Sequence, residues 1–405
     1  MEPEVNVARQ PIFRKDKRLF GYKLLFRDGL SNYFPDIDGD TATSKVLANT
    51  FFTAGLEKIT GKRKAFINFT KELLIRHVPL MFPQERLVVE ILEDVEPTEE
   101  VIAVSQEISQ RGYHIALDDF FYRSELKPLV SLADIIRFDF RASSFEKMAA
   151  YMKEMSDYNI NYLAEKVETY EEFQRALDMG FDYFQGYFFS KPEVIKEKDI
   201  SSTQLNLLQM MAEVNRKDFR FEKVEKILKR DVAIPHKLLR YINSAYFGIS
   251  SDISSIKQAI SLLGENGIRR FLSLMAMATL GKGKPPELVR ASTVRARFCE
   301  LIGHATQIGA DPSELFTLGL FSLIDAILDD SMAHLMENLP LSGSIKGALV
   351  EGKGELKDYL ELVVSYERGD WEGVSEIAAT VGLDEAQLPG HHTEALAWAG
   401  SLTGF

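Results

Sequence analysis

Cysteine is nearly absent: Cys299 is the one such residue among 405, so no disulfide within the chain can form. Its setting, Arg297-Phe298-Cys299-Glu300-Leu301-Ile302, reads as a helix, and the thiol as a buried structural group rather than a nucleophile. Long apolar runs are missing too. None reaches the roughly 18 residues a membrane span needs, and Met1-Glu2-Pro3-Glu4 has neither the basic flank nor the apolar core of a secretion signal. Histidine is sparse. The seven, His77, His114, His236, His304, His334, His391 and His392, have no metal-ligand spacing, and none precedes an Asp. The His391-His392 pair reads as surface-exposed. Positive charge is in deficit, 48 Lys and Arg against 60 Asp and Glu, for a net charge of −12. An acidic surface repels phosphate backbones, so nucleic acid is not an expected partner. There is no short-period repeat and no low-complexity tract. Hydrophobic residues at 45% and charged residues at 27% are too apolar a mix for disorder. At roughly 150 residues per domain, two or three domains are expected. From these absences a soluble, cytoplasmic protein is expected.

What is present divides the chain in two. Short apolar runs at 5–8, 65–68, 87–91, 114–118, 135–139 and 162–165 alternate with helical spacing over 98–111, 145–158 and 170–179. Near-continuous apolar strands between amphipathic helices predict a parallel sheet covered by helices. About eight such units in some 190 residues fit a closed β/α barrel. After Lys191-Pro192 the strand signal stops, and the charged stretch 195–200 reads as a linker. Beyond it nearly everything has helical spacing: Leu205, Leu208 and Met211, then Val224, Ile227 and Leu228, then Leu238, Leu239 and Ile242. Gly281 to Pro286 reads as a loop, and Asp311-Pro312-Ser313 as a helix start. The expected division is 1–198, a barrel, and 199–405, an all-α domain.

In the first half the polar residues fall in a pattern. Asn68, Glu90, Glu93, Asp118, Asp119, Asp139, Glu165 and Glu168 each stand at or just past the C-terminal end of a predicted strand. In a β/α barrel that rim carries the active site. Carboxylates and an amide converging there would suit Mg²⁺ or Mn²⁺, and a pair of such ions can activate water against a phosphodiester. Taken singly, each is equally a loop residue or helix cap.

Over residues 5–195 the motifs resemble the EAL family of cyclic di-GMP phosphodiesterases. The likeness lies in Phe66-Ile67-Asn68, Glu90-Ile91-Leu92-Glu93, Asp118-Asp119-Phe120, Ala164-Glu165-Lys166-Val167-Glu168-Thr169, and Gln185-Gly186-Tyr187 with Lys191-Pro192, in that order. The resemblance implies metal ligands at Asn68, Glu90, Asp118, Asp119 and Glu165, with Glu93 and Glu168 in support. It implies ligand contacts at Arg27, Asp139, Gln185 and Pro192. An arginine–phosphate contact needs no metal, although Arg27 could equally pair with a rim carboxylate.

The departures are as specific as the matches. Where the family has its signature Glu-Ala-Leu, this chain reads Lys23-Leu24-Leu25, so a lysine replaces a metal-binding glutamate. The family's catalytic lysine is Arg137, and Phe121-Tyr122-Arg123 replaces a glycine-rich loop. An ammonium about 4 Å from a divalent ion, at an effective dielectric of 20, is repelled by about 8 kcal/mol. A guanidinium, with a pKa above about 12, does not exchange a proton with bound water. No cofactor is therefore expected, with Mg²⁺ or Mn²⁺ required only if residual activity exists.

The second half resembles the HDOD domain, a relative of HD phosphohydrolases without the metal-binding His-Asp. The likeness is carried by Leu238-Leu239-Arg240-Tyr241-Ile242-Asn243-Ser244-Ala245 and by Ser255-Ile256-Lys257-Gln258-Ala259-Ile260-Ser261-Leu262-Leu263-Gly264. Ser322-Leu323 stands at the His-Asp position. Asn243-Ser244 reads either as a ligand contact or as a helix end bonding its own backbone. The two resemblances together imply a bacterial signalling protein and leave three readings: a non-catalytic cyclic di-GMP receptor or scaffold, a residual phosphodiesterase, or a pure protein-interaction module. A protein partner is expected through the HDOD half, and a homo-oligomer is compatible with any of them.

Overall fold

The computed structural model describes residues 7–26, 56–118, 123–191, 207–208, 211, 214, 233–244, 247, 252–306, 310–337, 339 and 341–401. Arg27, Asp119, Phe121, Tyr122, Pro192 and the 195–200 linker lie outside them. The chain divides into two compact units, Met1–Phe189 with Ser365–Trp371, and Ser190–Val364 with Glu372–Phe405.

The first unit is a closed eight-stranded barrel. Its strands are β1 (Val7–Arg14), β2 (Leu19–Phe26), β3 (Lys64–Phe69), β4 (Leu87–Ile91), β5 (His114–Leu117), β6 (Ile135–Asp139), β7 (Asn161–Glu165) and β8 (Tyr183–Gln185). Six follow the apolar runs of the sequence, and the structure adds β2 and β8. The sheet is parallel as expected except at β1, which runs antiparallel to both β2 and β8. The reason is length. Only Lys15 to Arg18 separate β1 from β2, room for a hairpin but not for a parallel crossover. Asp16 Oδ1 accepts from the Arg18 N–H (3.0 Å) to close that turn.

The covering helices start and stop for local reasons. Helix α1 (Glu99–Gln110) has Thr98 as its cap, accepting from the Val101 N–H, and Glu99 and Glu100 in its first turn, where the helix dipole favours negative charge. Helix α2 (Phe145–Glu154) stops short of the expected 158, because Ser156 to Asn159 offer polar side chains that favour turns over helix. Helix α3 (Tyr170–Met179) begins with a Thr169/Glu172 capping box and ends at Gly180 with φ 95°, a conformation glycine adopts without strain.

One layer of the barrel interior is apolar: Ile12, Phe66, Val88, Ala116, Ile135 and Leu163, with Phe20 and Tyr183 packed against them. Strand side chains repeat on a face every two residues, so the next inward positions up β3 to β8 are Asn68, Glu90, Asp118, Arg137, Glu165 and Gln185. Each is at most 6% exposed. Alternation alone thus lifts a polar tier onto an apolar floor.

The second unit is helical. Its main helices are α4 (Ala233–Ile242), α5 (Ile256–Leu280), α6 (Pro286–Ala305), α7 (Pro312–Phe321) and α8 (Leu388–Gly400). Gly264 breaks the course of α5 with φ 62°. Asp311 caps α7 and Pro312 opens it, as the sequence leads one to expect. A Cβ on Gly319 would sit 2.5 Å from the Arg295 carbonyl oxygen, so α6 and α7 touch backbone to backbone. Trp398 Nε1 donates to the Tyr241 hydroxyl (3.2 Å), tying α8 to α4. Cys299 is fully buried in α6. The exposed reading of the histidine pair is corrected: His392 is only 4% exposed, its ring 5.4 Å from that of Phe298, because its helical position faces α6. No helix among the described residues is long and apolar enough to cross a membrane.

Candidate active site of the barrel

Strands β2, β4, β5, β6, β7 and β8 bring their polar tier residues into one lumen. Lys23 Nζ donates to Asp118 Oδ2 (3.0 Å) and Glu165 Oε1 (3.5 Å), and Glu90 Oε2 lies 3.9 Å away. Arg137 is fully buried and spans the lumen. Its Nη1 pairs with Glu90 and lies 3.1 Å from Asp118 Oδ1, its Nη2 pairs with Glu165, and Nη2 donates to Gln185 Oε1 (3.1 Å). Gln185 Nε2 donates onward to Gln10 Oε1 (2.7 Å). Two cations therefore face three carboxylates that have almost no water around them. Burial pushes the Glu90 carboxyl above its ordinary range, against the pull of Arg137 and Lys23.

The remaining expected residues lie at different places. Asn68 is buried beside Glu90, its register partner across β3 and β4. Asp139 ends β6 and is turned to its own loop: Oδ1 accepts from the Arg141 (2.6 Å) and Ala142 (3.2 Å) N–H groups, and Oδ2 from Lys166 Nζ (2.5 Å). Glu168 pairs with Arg141 at 2.9 Å on the half-exposed rim. Glu93 is exposed, beyond the end of β4. A cavity of about 330 Å³, lined by Ile91, Leu92, Val95, Leu117, Asp118 and Arg123 among others, opens beside the tier. Arg27, Asp119 and Pro192 lie outside the described residues.

Two residues of this arrangement escaped the sequence reading. Gln10 faces inward two positions before Ile12, a place visible only once β1 is seen to run backwards. Lys166 carries φ 55°, uncommon for a residue with a side chain, and nothing in its sequence marks it. Glycine shapes the same rim. At Gly186, φ is 150° and a Cβ would lie 2.0 Å from the Val167 carbonyl oxygen, so only glycine lets that loop close on β7.

Every carboxylate of the tier is held by Lys23, Arg137 or both, and both cations stand among the groups a metal would use. Among the described residues, no three His, Cys, Asp or Glu side chains form a set able to hold a metal ion. The described residues as arranged do not fit one.

In the helical unit, Ser322 donates to the carbonyl of Gly319 (2.7 Å) and accepts from Arg295 Nη1 (3.4 Å). Burial raises the Asp325 carboxyl above its usual range, partly offset by backbone N–H groups and Arg295. Asn243 clamps the chain ten residues on. Its amide donates to the Ile253 carbonyl and accepts from the Ile253 N–H, both at 2.8 Å, which favours the backbone-bonding reading of Asn243-Ser244.

Residues 56–192 match the EAL domain family and residues 201–337 the HDOD domain family. Over 396 residues the chain is 38% identical to the cyclic di-GMP phosphodiesterase CdgJ of Vibrio cholerae serotype O1, covering 97% of this chain and 92% of that protein. It is 33% identical to the protein YuxH of Bacillus subtilis over 406 residues, 98% of each. Among solved structures, a cyclic di-GMP-bound standalone EAL protein from Vibrio cholerae O395 aligns with 47% of this chain and 93% of its own, at 26% identity and a TM-score of 0.36.

Proposed function

The chain belongs to the family in which an EAL domain precedes an HDOD domain, and from that premise we propose that it is a cytoplasmic signalling protein acting by binding rather than by turnover. Its barrel, residues 1–198, is a cyclic di-GMP receptor or scaffold, and its helical half, 199–405, supplies a protein contact. One observation carries the reading. Lys23 and Arg137 are bonded into Glu90, Asp118 and Glu165, the carboxylates through which the family's chemistry would run. Hydrolysis of a phosphodiester there needs an activated water and neutralisation of the departing oxygen. Lys23 and Arg137 are already spent on protein carboxylates, and an arginine does not pass a proton to or from water at neutral pH.

For the helical half, Ser322 and Leu323 at the His-Asp position offer no metal-ligating chemistry. Ser322 bonds to its own turn and to Arg295. The 38% full-length likeness to CdgJ, named a cyclic di-GMP phosphodiesterase, favours a second reading, residual metal-dependent turnover. Titration calorimetry with cyclic di-GMP, with and without Mg²⁺, together with chromatographic product analysis, separates the two. Metal-independent binding without product is expected. Turnover above about 0.1 s⁻¹, against an enzyme median of about 10 s⁻¹, that disappears in Glu90→Ala would replace the receptor reading with the enzymatic one.

A further inference from the structure

Three carboxylates sit in the barrel lumen on three strands, with exposures of 0%, 6% and 5% at Glu90, Asp118 and Glu165. Left alone they would carry three negative charges in a space nearly without water, a costly arrangement. Lys23 Nζ stands within 4 Å of all three, at 3.0, 3.5 and 3.9 Å, and Arg137 touches all three from β6. Carboxylates from separate strands converging on a compact positive charge is the coordination pattern of a bound ion, here met by an ammonium. Glu90 Oε2 is buried without a hydrogen bond and has the Lys23 ammonium as its nearby counter-charge.

We propose that Lys23 and Arg137 are resident cations. They supply from within the chain the charge that a carboxylate ring of this kind otherwise needs from divalent ions, so the barrel folds and stays folded without metal and excludes it. Two substitutions, Lys23→Glu with Arg137→Lys, would then uncover a divalent-cation site. The inference rests on the non-catalytic reading above, but the two fail differently. Turnover by the parent chain would end that reading, whereas metal-dependent stability decides this one.

The experiment is thermal melting of the full chain against free Mn²⁺ at constant ionic strength, with EDTA as the metal-free reference. The parent is expected to melt at one temperature, within about 1 °C, in EDTA and in millimolar Mn²⁺. The double variant should melt lower in EDTA and gain about 5–10 °C once Mn²⁺ is near a hundred times its Kd. Should the double variant not fold, Lys23→Met alone reports. It should melt below the parent in EDTA and recover part of the loss with Mn²⁺, but not with NaCl of equal ionic strength. An equal Mn²⁺ shift in parent and variants would mean that Lys23 does not exclude the ion. No shift in any folded variant would mean that the cations do not stand in a metal's place. Either result overturns the proposal.

Discussion

Replacing Arg137 by methionine keeps much of the side-chain length in the lumen and removes the guanidinium. The structure fixes what is lost: the pairs to Glu90 and Glu165, the 3.1 Å approach to Asp118 and the 3.1 Å bond to Gln185. Among the described residues, Lys23 would remain as the single cation facing the three carboxylates. Removing one partner of a buried ion pair costs about 3–5 kcal/mol, since the abandoned charge stays buried. For a domain near 200 residues that is about 6–20 °C of melting temperature. The loss should also depend on pH. Glu90 already has its pKa raised by burial, with Arg137 pulling it down. Without Arg137 it rises further, so the folded variant holds its proton to higher pH than the parent.

The sign follows from linkage. A carboxyl whose folded pKa is raised contributes an instability that is absent below its unfolded value, about 4.3, and grows as pH climbs toward the folded pKa. The Arg137→Met penalty attached to Glu90 should therefore be small at pH 4 and grow as the pH rises. Glu90→Gln in the Arg137→Met background should restore much of the loss, because a neutral amide has no charge to strand. Urea unfolding of the four proteins of this cycle at pH 4.5, 6 and 7.5 measures it. A penalty below about 1 kcal/mol at pH 7.5, or one that is flat with pH and untouched by Glu90→Gln, would refute the account of the tier as a coupled ion ring.

Other consequences are local. Gly186→Ala should destabilise the barrel by about 3 kcal/mol or more, because its Cβ would meet the Val167 backbone at 2.0 Å. Gly180→Ala, with only the Met152 methyl at 4.0 Å, should cost about 1 kcal/mol for its positive φ; chemical denaturation compares the two. Asn243→Ala removes both bonds to the buried Ile253 backbone and should cost about 2–3 kcal/mol of helical-unit stability, read from denaturant midpoints. For Asp134, burial acts to raise the pKa, but the His114 ring and the Ile115 N–H prevail and hold it below the usual value. Its stabilisation is then present above the unfolded pKa of about 3.9 and lost as pH falls through the folded value. Asp134→Asn should melt lower than the parent at pH 6, with the gap closing as the pH approaches 3; a gap that widened instead would contradict the assigned direction.

Much of this was legible in the sequence because it depends on period. Apolar runs at 65–68, 87–91, 114–118, 135–139 and 162–165 each became a strand, and the polar residue two places beyond the core position landed in the tier. The helix start at Asp311-Pro312 was equally local. What escaped depends on chain direction and on closure. Of the β1–β2 hairpin only residues 5–8 stand out in sequence. Its reversal is signalled only by the shortness of the four residues between, and Gln10 went unnoticed with it. His392 looked exposed because a pair of polar rings near a chain end carries no period of its own.

The consequence of the substitutions was harder to see than the substitutions themselves. Lys23 and Arg137 stand out as departures from a family pattern, but a pattern says only that a glutamate and a lysine are missing. It does not say where the new side chains point. Lys23 lies 95 residues from Asp118 and 142 from Glu165, and no local rule joins them. Barrel closure brings them together, and the near-total burial of the ring couples them tightly. An exposed lysine beside a carboxylate contributes about 0–1 kcal/mol and leaves the acid available to other partners. The same pair inside the lumen is strongly coupled, because removing either charge strands the other. Burial is thus what commits Glu90, Asp118 and Glu165 to Lys23 and Arg137. A chain with the same substitutions in a wetter, wider mouth would have kept its carboxylates free.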